Sequence, residues 1–260
     1  MSETLDLTAA LDTARGAVEA AARASLRHFR EGVAVERKAD GSPVTLADRE
    51  SEAVILREIR ERFPRHRILA EESGAMGEGS DFRWIVDPLD GTRGFGRGGS
   101  FWGPLVALEH RGEIVVGAMA LPALGETYWA ARGMGSFRDG VRLRVSEVDR
   151  LDEATLSLGE LRALRRPPHG AAVGTLIDAV ASSRCYGDLA GCVMLLSGRA
   201  DAWLEAGVRL WDLAAPKILV EEAGGVLTDF DGSPSILGGR AVATNGLLHE
   251  RILAILAGGS

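Results

Sequence analysis

The chain has 260 residues, 46% hydrophobic and 26% charged, with a net charge of −7 at neutral pH. This is ordinary globular composition, long enough for one large domain or for two lobes sharing a core. The acidic balance, with Arg162 to Arg166 as its one basic run, argues against a duplex nucleic-acid binder; two cysteines, Cys185 and Cys192, give neither a disulfide framework nor zinc spacing; and the longest apolar run, Ile114 to Leu124, is too short to span a membrane and contains Pro122.

Residues 4–30 read as an amphipathic helix, with Leu7, Leu11, Val18, Ala22 and Leu26 at helical spacing. Ahead of it, Met1-Ser2-Glu3-Thr4 has no apolar core behind it, so a signal peptide is not expected and the cytoplasm is. Val33 to Lys38 suits a short strand and Asp40-Gly41-Ser42-Pro43 a turn. Thr45 opens a second helix in a capping-box pattern with Asp48; Asp48 is then either a cap or a carboxylate near a metal, and the two are compatible. Ile68 to Ala70 is a short strand that ends in Glu71-Glu72-Ser73-Gly74, either a solvated loop or a carboxylate placed at a strand end.

Trp84-Ile85-Val86 is a short buried strand that ends on Asp87, where Pro88 is expected to stop the ladder because it has no N–H. Asp90-Gly91 is turn chemistry and Thr92 adds a hydroxyl. Two carboxylates three residues apart at a strand exit suit a hard cation such as Mg²⁺, which prefers oxygen ligands. The plainer reading is a strand end followed by an ordinary turn. The glycines at Gly94, Gly96 and Gly99 match a dinucleotide fingerprint by count. The context is wrong, because Pro104 and strand residues follow where that motif needs a helix.

Leu105 to Leu108 and Ile114 to Leu121 form a hairpin about Arg111-Gly112, and Thr127 to Ala131 and Val141 to Val145 extend an antiparallel block. Polar, proline-containing Leu161 to Gly170 is the candidate lobe boundary. Beyond it come a helix over Ala171 to Ala181, a strand at Arg184 to Tyr186, a helix over Leu189 to Ser197 and a strand at Ala202 to Glu205. Trp211 to Ala223 is a helix that should begin close to Asp212, because Pro216 fits only a first turn. Asp212 by itself is a helix-start carboxylate favoured by the macrodipole. Val226 to Phe230 and Ala241 to Thr244 are strands, and Asn245 caps a last helix to Leu256.

Taken together, Glu71-Glu72-Ser73, Asp87-Pro88-Leu89-Asp90-Gly91-Thr92 and Trp211-Asp212-Leu213-Ala214-Ala215 with Glu221 to Gly225 resemble the inositol monophosphatase superfamily of Mg²⁺-dependent, lithium-sensitive phosphatases. Lys38 to Asp48 is similar to its early motif, and the likeness runs from the first helix to Asn245-Gly246. Within it, Phe101 to Leu108, Pro122 to Glu126, Trp129 to Gly133 and Tyr186-Gly187-Asp188 look most like a bacterial branch acting on histidinol phosphate. Relatives acting on inositol, fructose or nucleotide phosphates share the metal motifs. Pro216 departs from the pattern, and the short Ser157 to Ser183 segment does not help to choose a substrate.

The resemblance implies an α/β fold: an αβαβα sandwich with an antiparallel N-terminal sheet and a smaller C-terminal lobe, divided as residues 1–150 and 151–260. It implies Glu71, Asp87, Asp90, Asp212 and the Leu89 carbonyl as ligands of two or three Mg²⁺, with Thr92 and Glu71 orienting a water and Asp48 pairing with Thr92. The Gly91 and Thr92 amides would grip phosphate, Asp90 and Asp212 would also touch the substrate, and hydrolysis would be direct. Asp188 and Glu205 would face the cationic end of a small phosphate monoester. Four carboxylates and a phosphate dianion repel by about 4 kcal/mol per pair at ~4 Å and an effective dielectric of ~20, so cations are needed to reverse the sign. Relatives are homodimers, and Trp102, Trp129 and Phe137 suit either a contact face or the core. No nucleic-acid or membrane partner is implied. Rival readings are an inositol phosphatase or a broad sugar or nucleotide phosphatase, a non-catalytic Mg²⁺-binding protein, and a two-lobed α/β protein with scattered acidic turns.

Overall fold

The computed structural model describes residues 6–32, 36–37, 43–187 and 189–258. In chain order, helix α1 (Leu7–Glu31) starts at Asp6, whose side chain accepts from the Ala9 N–H at 3.0 Å. Strands β1 (Glu36–Arg37) and β2 (Pro43–Val44) form a small antiparallel pair. Lys38 and Asp40 to Ser42 lie outside the described residues. Helix α2 (Leu46–Arg62) is capped by Thr45 with Asp48 completing the box.

Strands β3 (Arg67–Ala70), β4 (Gly74–Met76), β5 (Phe82–Asp90), β6 (Gly103–His110), β7 (Glu113–Leu121), β8 (Glu126–Ala131), β9 (Gly135–Arg138) and β10 (Val141–Arg142) build one eight-stranded sheet, with the short helix α3 (Thr92–Phe95) after β5. Its order is β10-β9-β8-β7-β6-β5-β3-β4, antiparallel except where β3 runs parallel to β5. A second sheet holds β11 (Thr155–Leu158), β12 (Ser182–Cys185), β13 (Ala202–Ala206), β14 (Val226–Thr228) and β15 (Arg240–Thr244) in the order β12-β11-β13-β15-β14. Around it lie α4 (Leu161–Leu164), α5 (Gly170–Ala179), α6 (Ala190–Leu196), α7 (Leu210–Glu222) and α8 (His249–Leu256).

The layers follow from which faces are apolar. The alanine stripe of α1 (Ala10, Ala14, Ala17 and Ala21) lets α1 and α2 lie close against Trp84, Val86 and Val106 on one face of the large sheet. The opposite face, through Ile85, Leu105 and Met119, packs on α6 and α7, which also meet Trp203, Leu227 and Ala243 of the second sheet. Helices α5 and α8 close the far face against Leu156, Leu204 and Val242. The result is the expected αβαβα sandwich, with α7 as its middle layer. At Gly117 in β7 an added Cβ would come within 2.4 Å of Ile218 Cγ2 and 3.0 Å of the Ala215 carbonyl, so only glycine lets this helix sit so close.

Four sequence expectations shift. Strand β5 does not stop at Pro88 but runs on to Asp90, which pairs with Gly103. An irregularity between Asp87 and Asp90 takes Pro88 out of the ladder, so its missing N–H costs nothing. The start of α7 at Leu210 leaves Pro216 in its second turn, buried, where the ring denies the Asp212 carbonyl a helical partner. Leu161 to Gly170 lies inside the second unit, because β11 precedes it; the two sheets change over between Arg142 and Thr155. Asn245 caps the turn before α8, its Oδ1 accepting from the Leu247 and Leu248 amides, while the helix itself begins at His249. Strands β2, β4, β9 and β11 and the short helix α4 were not expected. Trp102 is fully buried against Phe29 and Phe95, which makes it core, whereas Trp129 is half-buried, stacked near Phe137 and under Arg15. Among the described residues no helix is long and apolar enough to cross a membrane.

Candidate active site

Three carboxylates meet at the junction of the two sheets. Ligand oxygens of Asp87, Asp90 and Asp212 all lie within 4.8 Å of one another. Strand β5 and its irregular end supply the first two, and the first turn of α7 supplies the third. The plain role of Asp212 is also met: it accepts from the Arg209 N–H at 2.7 Å, capping its helix. Asp87 accepts from the Leu89 N–H at 2.9 Å, which folds the strand end back on itself.

Glu71 stands outside that trio but lines the same cavity of about 410 Å³, with Asp87, Leu89, Asp90, Gly91, Thr92 and Asp212. Its backbone N–H donates to the Val86 carbonyl at 3.1 Å, which fastens the end of β3 to β5. Asp87 is 1% exposed, and its carboxyl is pushed well above the usual range, first by burial and then by the charges of Glu71, Asp90 and Asp212. Burial likewise raises Asp212. A cluster of carboxylates with Asp87 buried at its base and Asp90 and Asp212 half-buried offers only oxygen ligands, which fits a hard divalent cation.

Asp48 caps α2 and also faces Thr92. One oxygen accepts from the Thr45 amide at 2.8 Å and the Thr45 hydroxyl at 2.6 Å; the other lies 3.2 Å from the Thr92 hydroxyl, which also reaches the Leu89 carbonyl at 3.1 Å. Asp48 is 1% exposed and its pKa is raised, chiefly by burial. Gly91 takes φ 79°, a left-handed value that glycine adopts without strain, and this conformation turns the chain into the helical turn at Thr92.

A second cavity, about 550 Å³, opens alongside and shares Asp90, Gly207 and Asp212 with the first. Glu205, at the end of β13, lies in its wall at 6% exposure. One Glu205 oxygen accepts from the Glu160 amide at 2.9 Å and from its neighbour Ala206 at 3.1 Å, and burial lifts its pKa to about 7. Gly159 makes room for it: a Cβ there would fall 1.7 Å from the Glu205 carboxylate. Asp188 lies outside the described residues; Gly187 and Leu189 on either side of it line this cavity.

The sequence reading missed Glu52, the support beneath Glu71. At 3% exposure, Glu52 accepts from the Glu72 N–H at 2.9 Å and from the Ser73 hydroxyl, fixing the turn that carries Glu71. The available signal was its spacing, four residues beyond Asp48 on one helix face. Arg209 was also missed, and nothing in its local sequence marks it.

Residues 6–258 match the inositol monophosphatase family. A histidinol-phosphatase of Mycobacterium tuberculosis is 42% identical over 230 residues, covering 86% of this chain and 88% of that protein. An inositol-1-monophosphatase of Mesorhizobium japonicum is 36% identical over 241 residues, with 90% of each chain covered. The solved inositol monophosphatase of Anabaena superposes with a TM-score of 0.86 at 32% identity, covering 98% of this chain and 97% of that one. The acidic cluster, the layered fold and these relatives lead to one conclusion: the chain belongs to the inositol monophosphatase family of phosphoric monoester hydrolases.

Proposed function

We propose that this chain is a Mg²⁺-dependent phosphatase whose substrate is L-histidinol phosphate. The observation that carries the substrate is Glu205, a buried carboxylate in a cavity contiguous with the acidic trio. Histidinol carries an ammonium, and a cavity that keeps a carboxylate away from the metal ligands offers it a partner. Asp188 is assigned the same task. The 42% identity to a histidinol-phosphatase supports the choice. The 36% identity to an inositol-1-monophosphatase supports the second reading, an inositol or sugar phosphate.

Glu71, Asp87, Asp90, Asp212 and the Leu89 carbonyl would hold two or three Mg²⁺. A bound divalent cation there supplies charge neutralisation and a more acidic water. In this reading Thr92, held by Asp48, orients the attacking water, and the Glu71 carboxylate takes its proton. The Gly91 and Thr92 amides seat the phosphate end of the substrate, and Asp90 and Asp212 line the same cavity where its organic part begins. Glu205 and Asp188 then fix the leaving group so that water attacks opposite the departing oxygen. Residues 1–150 carry most of the ligands, and residues 151–260 carry Asp212 and the leaving-group wall. We extend the reading to a lithium-sensitive, cytoplasmic homodimer without nucleic-acid or membrane partners.

The test is phosphate release from a substrate panel with Mg²⁺. Histidinol phosphate should be the best substrate, and Asp90→Asn should abolish release. Full activity in that variant removes the metal assignment, and a preference for inositol 1-phosphate moves the substrate to the second reading. Sedimentation of the purified chain at assay concentration checks the dimer.

A further inference from the structure

On the other side of the Gly207–Arg209 wall lies a third cavity of about 410 Å³, and its character is reversed. Arg166, Arg209 and Arg240 line it, each from a different stretch of chain, together with His169. Arg166 belongs to the one basic run in the sequence, for which the hydrolytic site has no use. Among the described residues neither Arg166 nor Arg240 makes an ion pair, although the chain carries 37 acidic side chains. Arg209 sits between the two cavities, and its charge acts on Asp212.

The walls are held by backbone. The Gly207 N–H donates to the Gly239 carbonyl at 2.8 Å, and the Gly170 N–H donates to the Arg166 carbonyl at 3.1 Å. Gly207 and Gly239 take φ values of 82° and 69°, and a Cβ on Gly170 would lie 2.1 Å from the Arg165 carbonyl, so these turns are built on glycine. Leu164 and Phe230, both buried, supply apolar lining, and the His169 ring meets Phe230 edge-on at 5.3 Å. Guanidinium forks match phosphate oxygens with parallel N–H donors, and unpaired cations gathered around a concavity concentrate anions there.

We propose that this cavity is a second phosphate site, separate from the hydrolytic one, in which Arg166 and Arg240 hold a phosphate dianion. The ligand is either free phosphate or the phosphate of a small monoester whose organic part lies on Leu164 and Phe230. The proposal does not depend on the substrate reading above.

The experiment titrates the full chain with inorganic phosphate and, separately, with phenyl phosphate, in EDTA at low ionic strength, by calorimetry. Without divalent cations the acidic trio repels phosphate, so saturable binding reports the basic cavity. One site is expected, weakened about 10-fold or more in Arg166→Ala and in Arg240→Ala, as for loss of a charged hydrogen bond. Asp90→Asn should leave it unchanged. Tighter phenyl phosphate marks a monoester ligand; equal or tighter inorganic phosphate marks free phosphate. Absence of saturable binding overturns the proposal, as does binding that survives in the double arginine variant or disappears in Asp90→Asn. Mg²⁺-dependent phosphate release by both arginine variants within about twofold of the unaltered chain shows that they fold. Loss of release in the unaltered chain would count against the proposed function alone.

Discussion

Two cavities share a wall and carry opposite charge. On one side Asp87, Asp90 and Asp212 crowd their oxygens together; on the other Arg166, Arg209 and Arg240 line a glycine-framed hollow. On the acidic side Asp87 is buried and Asp90 and Asp212 are half-buried, so water screens their repulsion only in part, and the pKa of Asp87 is driven up. The basic side is more open: Arg166 and Arg209 are exposed and Arg240 is half-buried, so water relieves their repulsion. An unliganded acidic cluster is therefore a cost to the fold, whereas the arginines cost little. The difference suits their proposed tasks, with the first needing a cation before it can accept an anion and the second accepting one directly.

The sharpest way to break this contrast is Asp87→Asn. Its activity should fall by more than about 100-fold, beyond what loss of a supporting contact around a metal typically costs. Without metal, however, the variant should be the more stable protein. The folded pKa of Asp87 lies above its unfolded value, so its stabilising contribution is present below the unfolded pKa and is lost as pH rises through the folded one. At neutral pH the neutral isostere, which can still accept from the Leu89 amide, should gain about 0.5–2 kcal/mol. Thermal melts in EDTA at pH 7.5 check this, and a lower Tm than the unaltered chain would show that the cluster is not strained.

Glu52→Ala probes the support beneath Glu71. Left without their acceptor, the Glu72 N–H and the Ser73 hydroxyl release the turn, and the Mg²⁺ concentration for half-maximal phosphate release should rise about 10-fold. An unchanged Mg²⁺ response would confine Glu52 to folding.

The smallest effect concerns Glu205. With its pKa near 7, it is neutral below that pH and charged above it. The kcat/KM ratio of histidinol phosphate to phenyl phosphate should therefore rise a few-fold between pH 6 and 8, as a neutral hydrogen bond becomes a charged one. Glu160, Cys185, Arg93, Asp90 and Asp212 line the same cavity, and both substrates meet them alike, so the ratio isolates the contact with the ammonium. In Glu205→Gln the ratio should stay flat; a rise there would assign the effect to another group.

Much of this was legible in the sequence because it was local. Capping of α2 by Thr45 and Asp48, the helical period of α1, and the hairpin about Arg111-Gly112 each depend on neighbours within a few residues. The Asp87-to-Thr92 run of carboxylates and a hydroxyl was legible for the same reason, and a resemblance spanning the chain pointed to Glu71 and Asp212, which line the same cavity. What failed was also local in form. Pro88 and Pro216 were read by rules for isolated elements, and tertiary packing overrode both, through an irregular ladder in one case and a buried middle-layer helix in the other.

The chain by itself determined the long helices, the central hairpin, the acidic motifs and the family, since periodicity, capping and ordered motifs are properties of short stretches. Only the tertiary structure decided which oxygens meet across β5 and α7, that Glu52 props the Glu71 turn, and that three scattered arginines line one cavity. These contacts join residues tens of positions apart, and no local pattern encodes such distances.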